Sequence, residues 1–357
     1  MDLNRIFMKN ASPTKVGGQA ILEGLMMQGA RAIAIAIREP AGGIHLTVEP
    51  IKPAGRWKKL PVIRGVIAFV NSLVRGTGVL LYSAEVLEQL EETQGEGAGE
   101  HKPEEKGKFE QFIESKFGEK AALNFVLYSS VVLSIVLSVG VFVILPTVLM
   151  NWLKGVGLEN VVLLNLIEGC VRIAMFVIYV LAVSRMEEIH RVFQYHGAEH
   201  KTIHCYENGL ELTPENAQSF YTLHPRCGTS FLMFVMVISL LVFSLMGWPG
   251  LVQRILSRLL LIPVVAGLSY ELLQFTGRHN NACVKALSLP GIYLQKITTA
   301  EPDLKQLEVA IAAMNAVLPS QHDPSLPVEY WVGTIQPDGT FVKDEEATKA
   351  YIESKKK

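Results

Sequence analysis

A long stretch of the chain without any charged residue sets the first limit on how the chain can fold. Residues 121–150 contain no Asp, Glu, Lys or Arg, although charged residues make up 19% of the sequence and apolar residues 49%. A helix that spans a bilayer needs about 20 consecutive apolar residues. The uncharged stretch exceeds that length, so the sequence predicts an α-helical membrane protein and argues against a soluble globular enzyme.

Three further apolar stretches extend this prediction. Residues 161–183 and 231–248 are long enough to span a bilayer, and residues 255–275 are equally compatible with a re-entrant or buried helix. Lys and Arg residues concentrate before the first stretch, between the second and third, and after the fourth. The positive-inside rule then places both termini and the loop 184–229 in the cytoplasm. We predict about four transmembrane helices within a domain 121–276 that contacts lipid.

The polar segment before the membrane domain is expected to form a small cytoplasmic or interfacial α+β domain, residues 1–92. Within it, residues 31–50 alternate in the manner of a β-hairpin. Residues 60–92 predict an apolar helix that can either pack on the hairpin or lie in the membrane interface. Residues 93–120 have the composition of a flexible linker with an amphipathic lead-in to the first span.

The polar segment after the membrane domain divides into two parts. Residues 277–318 predict a C-terminal cytoplasmic segment that contains a short amphipathic helix. Residues 319–357 form a tail with one candidate strand pair, 330–336 with 340–343. The net charge is −1, so a nucleic-acid partner has no electrostatic support. The four scattered cysteines favour reduced thiols or metal ligands over a disulfide framework.

The loop 184–229 holds five of the nine histidines and two of the four cysteines. His196, His200 and His204 recur every four residues, so a helix places them on one stripe. The order His196, Glu199, His200 is the reversed zinc-peptidase signature, in which two histidines bind zinc and the glutamate handles the proton of a water molecule. This half of the loop predicts zinc ligands and a general base.

A second half-site follows in the same loop. His224 and Cys227 are three residues apart and flank a Pro-Arg pair, which is the spacing of a metal knuckle on a tight turn. Together with the helical histidines they can supply a tetrahedral site of three nitrogens and one sulfur, a ligand set that zinc accepts. The alternative is that the histidines are polar side chains at the membrane surface with no metal. Spacing does not count ligands, so a closed structural site and an open catalytic site both stay open.

Two carboxylates farther along the chain can extend the site. Glu271, near the cytoplasmic end of the fourth apolar stretch, is a candidate third ligand. Glu168 lies inside the second stretch, where a charge is costly and tends to mark function. It can also pair with Arg172 on the same helical face. A Glu187-x-x-His190 element permits a dinuclear iron site as an alternative to zinc.

The glycine-rich segment 17–29 has two interpretations. Its glycines are typical of a turn-rich entry to the hairpin. Alternatively, the segment places Gln19 and Glu23 so that they face the metal loop from the cytoplasmic side. It lacks the Gly-Lys-Ser/Thr ending of a phosphate-binding loop.

Four motifs occur in the order found in a known family. The segments GGQAILEGLMMQG, YHGAEHKTIHCYE, HPRCGTSF and LPGIYLQKITTAEPDLKQLEVAIAA together resemble the YqhQ-like family of bacterial multi-pass membrane proteins. That family has unknown function and is sometimes labelled as a predicted metal-dependent enzyme. The resemblance covers roughly residues 14–318 and implies a location in the bacterial plasma (inner) membrane. The residues that fall on its motif positions are Gln19, Glu23, His196, Glu199, His200, His204, His224 and Cys227.

These observations lead to a ranked set of hypotheses. The first is a membrane-embedded zinc-dependent hydrolase at the cytoplasmic face, with His196, His200 and either Cys227 or His224 as ligands and Glu199 as general base. The alternative is a non-enzymatic scaffold or assembly factor with a structural zinc site. A di-iron enzyme or a transporter is less favoured, and a transporter would be ruled out if its intramembrane charges only paired with each other. Protein partners or a homo-oligomer are compatible with each hypothesis.

Overall fold

The computed structural model describes most of the chain and divides into two compact units. The first unit comprises Met1–Leu90, Tyr179–Ile238 and Pro263–Lys357, and the second comprises Glu91–Ile178 and Ser239–Ile262. The described residues are 6, 12, 14, 16–51, 60–94, 129–130, 132–157, 159–247, 250–279, 281–323 and 325–355. The linker predicted at 93–120 lies almost entirely outside the described residues.

The strands form one six-stranded antiparallel sheet in which neighbours follow chain order. They are β1 (Gly17–Ile21), β2 (Gly24–Gln28), β3 (Ala32–Arg38), β4 (Ile44–Pro50), β5 (Trp331–Ile335) and β6 (Phe341–Asp344). The predicted hairpin is confirmed as β3 and β4, and the predicted strand pair is confirmed as β5 and β6. Because β5 pairs with β4, residues near the C-terminus complete a sheet that begins near the N-terminus.

Helices account for most of the remaining described residues. They are α1 (Ile63–Gln94), α2 (Val132–Gly155), α3 (Val161–Val183), α4 (Glu187–Glu207), α5 (Pro214–Gln218), α6 (Gly228–Ser244), α7 (Leu251–Arg278), α8 (Ala282–Thr298), α9 (Leu304–His322) and α10 (Glu345–Ser354). Within α2, Gly140–Ile144 is a π-helical turn.

Four of these helices are long and apolar enough to cross a membrane, namely α1, α2, α3 and α7. Among the described residues, the predicted number of candidate membrane helices is therefore confirmed, but the set differs. The stretch predicted at 231–248 corresponds to α6, which has 17 residues and ends at Ser244. A helix of that length extends about 26 Å, short of a hydrocarbon core of about 30 Å. In place of the stretch 231–248, the structure offers α1 as a candidate membrane helix. The sequence had predicted that α1 packs on the hairpin or lies in the membrane interface.

The alternating sequence of β3 builds a core on each face of the sheet. Its alanines at 32, 34 and 36 belong to a buried cluster with Tyr195 of α4 and Met314 of α9. Its isoleucines at 33, 35 and 37 belong to a second cluster with Val79 and Val86 of α1. Successive strand residues point to opposite faces, so one short strand joins α4 and α9 on one side to α1 on the other. This arrangement fixes α4, the helix that carries the histidines.

The second unit contains a buried ion-pair network around Glu168 of α3. The Glu168 carboxylate accepts from Arg172 at 2.7 Å and from Thr147 at 2.7 Å. Both of its oxygens also accept from Arg258, one of them at 2.7 Å. The predicted pair with Arg172 is thus confirmed. Since the carboxylate is paired, the transporter hypothesis loses the observation on which it depended.

Candidate metal centre

Helix α4 carries the histidine stripe, and both of its ends are well defined. Glu187 and Glu188 lie in its first turn, where negative charge is favourable near a helix N-terminus. The helix ends at Asn208, which is its C-cap, and Gly209 follows with a φ of 70°. Such a left-handed φ is readily adopted by glycine. The histidines therefore lie on a helix of fixed extent.

His196, His200 and Cys227 form the first histidine group. One nitrogen from each ring and the cysteine sulfur all lie within 4.8 Å of one another. The His196 Nε2 is 3.0 Å from the Cys227 Sγ. His200 and Cys227 are buried, and His196 is half-buried. Two imidazoles and one thiol at this separation are a ligand set that suits zinc.

Backbone carbonyls fix the orientation of both rings in the first group. The Nδ1 of His196 donates to the Thr298 carbonyl at 2.8 Å, and the Nδ1 of His200 donates to the Thr222 carbonyl. A carbonyl oxygen only accepts, so each proton is on Nδ1 and each Nε2 presents a lone pair. The Nε2 of His200 is buried and has no hydrogen-bond partner among the described residues. A carbonyl behind the ring and a bare Nε2 in front of it are typical of metal-binding histidines.

The turn that carries Cys227 is held by two further residues. The Sγ of Cys227 lies 3.4 Å from the Thr229 N–H and 3.2 Å from its hydroxyl. Gln295 accepts from the His224 N–H at 2.8 Å and donates to the His224 carbonyl at 2.9 Å. Burial raises the pKa of the Cys227 thiol, but its interactions with His200 and with the Thr229 donors outweigh burial, and the pKa is lowered. The turn therefore makes the thiol easier to deprotonate, and the thiolate is the form that binds metal.

Glu199 lies beside the first group and is held by the glycine-rich strand β1. Its Oε1 accepts from the Gly18 N–H at 2.7 Å. The pKa of Glu199 is raised to about 7, because burial and the neighbouring Cys227 raise it by more than His196 and the Gly18 N–H lower it. A Cβ on Gly18 would lie 2.5 Å from the Met26 carbonyl oxygen and 2.9 Å from the Glu199 Cδ. Only glycine fits this close approach.

His204, Glu207 and His224 form the second histidine group, and all three are buried. The sequence predicted one site of three nitrogens and one sulfur, whereas the structure divides those residues between two groups. The reason is the rise of the helix. His196 and His204 are eight residues apart, which is about 12 Å along the axis. A single ion therefore contacts one end of the stripe only.

Most polar atoms of the second histidine group have partners among its neighbours, but the Nε2 of His224 is buried and has no hydrogen-bond partner among the described residues. Glu207 accepts from the Thr14 N–H at 2.7 Å and from the Arg226 guanidinium. The Nε2 of His204 donates to the Leu223 carbonyl at 3.0 Å. The Nδ1 of His224 accepts from the Arg226 N–H at 3.3 Å, which leaves the proton on Nε2, 3.6 Å from Glu207. These bonds attach residues 223–226 to the C-terminal end of α4.

The remaining candidate ligands have other partners. Glu23 pairs with Arg191 of α4 through both carboxylate oxygens. Gln19 donates to the Gly76 carbonyl of α1 at 3.3 Å. The structure places neither side chain in a histidine group.

Two further carboxylates also lie outside the histidine groups. Glu271 accepts from Arg64 through both oxygens and from the Val62 N–H at 3.1 Å, so it anchors the start of α1. Glu168 belongs to the second unit.

Glu187 and His190, the basis of the iron alternative, are exposed. Among the described residues, neither belongs to a group able to hold a metal.

A cavity of about 850 Å³ adjoins the first group. Glu199, His200 and Cys227 line it, together with Gly18 and residues of α1. No sequence pattern marks Gln295 or the carbonyls of Thr222 and Thr298, and Gly18 was marked only as part of the glycine-rich segment 17–29. Backbone groups carry no sequence signal, and Thr298 reaches His196 across 102 positions of the chain.

A comparison with known protein families matches residues 60–320 to the family described as "Protein of unknown function (DUF1385)". The chain belongs to the DUF1385 family. It is 35% identical over 314 residues to the uncharacterized protein YqhQ of Bacillus subtilis (strain 168), which covers 87% of this chain and 94% of that protein. No solved structure matches the chain. The resemblance inferred from the four motifs is confirmed, and the DUF1385 description names no activity.

Proposed function

We propose that this DUF1385 protein is a membrane-associated zinc-dependent hydrolase. The observation that carries the proposal is the bare, buried Nε2 of His200, which lies with the His196 Nε2 and the Cys227 Sγ in one group. Three protein ligands leave one tetrahedral position open, as in catalytic zinc sites, whereas structural sites have four. The adjoining cavity of about 850 Å³ gives a substrate room beside that position.

Each residue of the first histidine group has a separate task in this proposal. Zinc, when bound, acts as a Lewis acid that polarises the scissile bond and lowers the pKa of a water molecule. His196 and His200 hold the ion through Nε2, and Cys227 holds it as a thiolate. Glu199 accepts a proton from the attacking water and returns it to the leaving group. The Gly18 N–H fixes one oxygen of Glu199 for this task.

We place the protein in the bacterial plasma membrane with the first histidine group at the cytoplasmic face. Four candidate membrane helices support membrane association, and the relative YqhQ comes from a bacterium. The Lys and Arg residues beside the apolar stretches support the orientation. We prefer zinc over iron because the group combines a thiolate with two imidazoles and contains no carboxylate.

The test uses the full chain, purified in detergent, with chromogenic carboxylic, amide and phosphate esters as substrates. We expect turnover that depends on zinc and that falls by about 10²–10⁴-fold in Glu199→Gln. Glu188→Gln is the matched control, because Glu188 is exposed on the same helix. Both variants should retain the zinc content of the wild type.

Two outcomes would contradict the hydrolase. Equal turnover in Glu199→Gln and Glu188→Gln would remove Glu199 as the general base. Stoichiometric zinc without turnover on any substrate of the panel would favour the alternative, a scaffold or assembly factor with a structural zinc site. Iron in place of zinc after purification would overturn the choice of metal.

A further inference from the structure

The wall of the cavity that α1 supplies is a polar stripe. Arg64, Asn71, Ser72 and Arg75 line the cavity. Their spacings of seven, one and three residues place them on one face of a helix. Glu271 anchors the start of this helix through Arg64 and the N–H of residue 62. The polar face of α1 is thereby held against the cavity that also contains Glu199 and Cys227.

The other side of the same helix segment is apolar and exposed. Val70, Leu73, Val74 and Leu81 expose between 50% and 70% of their surface. The helix as a whole is long and apolar enough for a membrane environment. A helix with one apolar exposed face and cations on the other is typical of the membrane interface. The cavity therefore lies beside a surface that favours lipid.

The cations around the cavity are not equally neutralised. Arg64 is paired with Glu271, Arg226 with Glu207, and Lys355 with Glu49, which also lines the cavity. Arg75 donates to the neutral amide oxygen of Gln28 at 2.6 Å and has no carboxylate partner among the described residues. An arginine guanidinium matches phosphate in geometry and charge. Arg75 is thus the side chain in the cavity wall that is most available to an anion.

We propose that the cavity binds the phosphate group of an anionic membrane amphiphile, with Arg75 contacting the phosphate. The acyl chains remain in the lipid that the apolar face of α1 contacts. The proposal names the substrate class of the hydrolase site and rests on the proposed function for that role, but binding itself requires neither zinc nor turnover.

The test measures lipid binding to the full chain in detergent by native mass spectrometry. The probes are dioleoyl phosphatidic acid, dioleoyl phosphatidylcholine and inorganic phosphate. We expect phosphatidic acid to bind at least about tenfold more tightly than phosphatidylcholine. Arg75→Gln should weaken phosphatidic acid about tenfold, the scale of one charge-assisted hydrogen bond, and Arg75→Lys should recover part of the loss. Arg185→Gln is the matched control, because Arg185 is exposed next to the end of α3.

The outcomes separate this proposal from the proposed function. Equal binding of the two lipids, or equal loss in Arg75→Gln and Arg185→Gln, would overturn it. Inorganic phosphate that displaces phosphatidic acid at comparable concentration would overturn the lipid source and indicate a soluble anion. The folding control is a comparison of Arg75→Gln with the wild type. Equal zinc content and equal melting temperature show that the variant is folded. A wild type without zinc that still prefers phosphatidic acid would contradict the hydrolase and support the lipid site.

Discussion

The two histidine groups lie on the same face of α4, yet their hydrogen bonds differ in kind. In the first group, the Nδ1–H of His196 and of His200 each donates a hydrogen bond to a backbone carbonyl, so both Nε2 atoms are without protons. In the second group, the Nε2 of His204 is itself a donor, and Glu207 is neutralised by Arg226. The first group presents lone pairs to one point, whereas the second group has a proton on the Nε2 of each histidine. That of His204 is donated to the Leu223 carbonyl, and that of His224 has no hydrogen-bond partner among the described residues.

This difference shows how a metal site is distinguished from a structural network of the same residue types. The distances between side chains qualify both groups as candidates. The proton positions separate them, because zinc needs a lone pair from each histidine. In the second group, His224 would have to move its proton from Nε2 to Nδ1, where the Arg226 N–H already donates. We therefore expect zinc in the first group only.

The largest effect is expected from the cysteine of the first group. Cys227→Ser should lower the zinc content from about one per chain to near zero, because a serine hydroxyl does not replace a thiolate ligand. Metal analysis of protein purified without added zinc measures this. Cys205→Ser is the matched control, because Cys205 is buried on α4 outside both groups. Zinc loss in the control would show that the result reflects unfolding.

Glu207→Gln tests the second group by a different readout. The substitution removes the buried charge that pairs with Arg226, whose side chain is 25% exposed. We expect destabilisation of about 2–4 kcal/mol, less than for a fully buried pair, with the zinc content unchanged. Thermal unfolding and metal analysis of the same sample give both quantities. Loss of zinc with an unaltered melting temperature would make the second group a metal site.

A smaller effect is expected at the strand that supports Glu199. Gly18→Ala brings a Cβ within 2.5 Å of the Met26 carbonyl oxygen, and relief of that overlap should cost about 1–3 kcal/mol. Gly17→Ala is the matched control, since a Cβ at Gly17 meets nothing within 4 Å. Equal melting temperatures of the two variants would show that the structure has room for a Cβ at Gly18, contrary to its close approach to Met26 and Glu199.

The smallest effect is a pH dependence in the second group. Burial lowers the pKa of His204 below its ordinary 6.5. The buried neutral ring therefore contributes stability that is complete above pH 6.5 and is lost as the pH falls towards the lowered pKa. The melting-temperature difference between wild type and His204→Gln should be largest above pH 7 and shrink below 6.5. A constant difference from pH 8 to 5 would contradict this.

Local patterns were sufficient to predict much of the fold and the residue types of the site. The alternation in 31–50 predicted β3 and β4, and the four-residue spacing of the histidines predicted the stripe on α4. The closure of the sheet by β5 against β4 was not predicted, because pairing between distant strands has no local signature. The sequence also did not predict that α6 ends at Ser244, which makes this helix shorter than the hydrocarbon core of a bilayer.

The division of the histidines into two groups was likewise beyond the sequence. It depends on backbone carbonyls at positions 222, 223 and 298, whose identity in the sequence says nothing about where they lie. It also depends on the fact that His224 and Cys227, only three residues apart, face different turns of α4. The candidate ligands could be named from the sequence, but their assignment to one ion needed three-dimensional positions.

X-ray absorption at the zinc edge tests the central claim most directly. The sample is the full-length wild type, purified without added metal. We predict about one zinc per chain, bound by one sulfur and two imidazole nitrogens, with a further light atom in the open position. Protein without stoichiometric zinc, or zinc in a shell that contains no sulfur, would contradict the assignment of His196, His200 and Cys227 as its ligands.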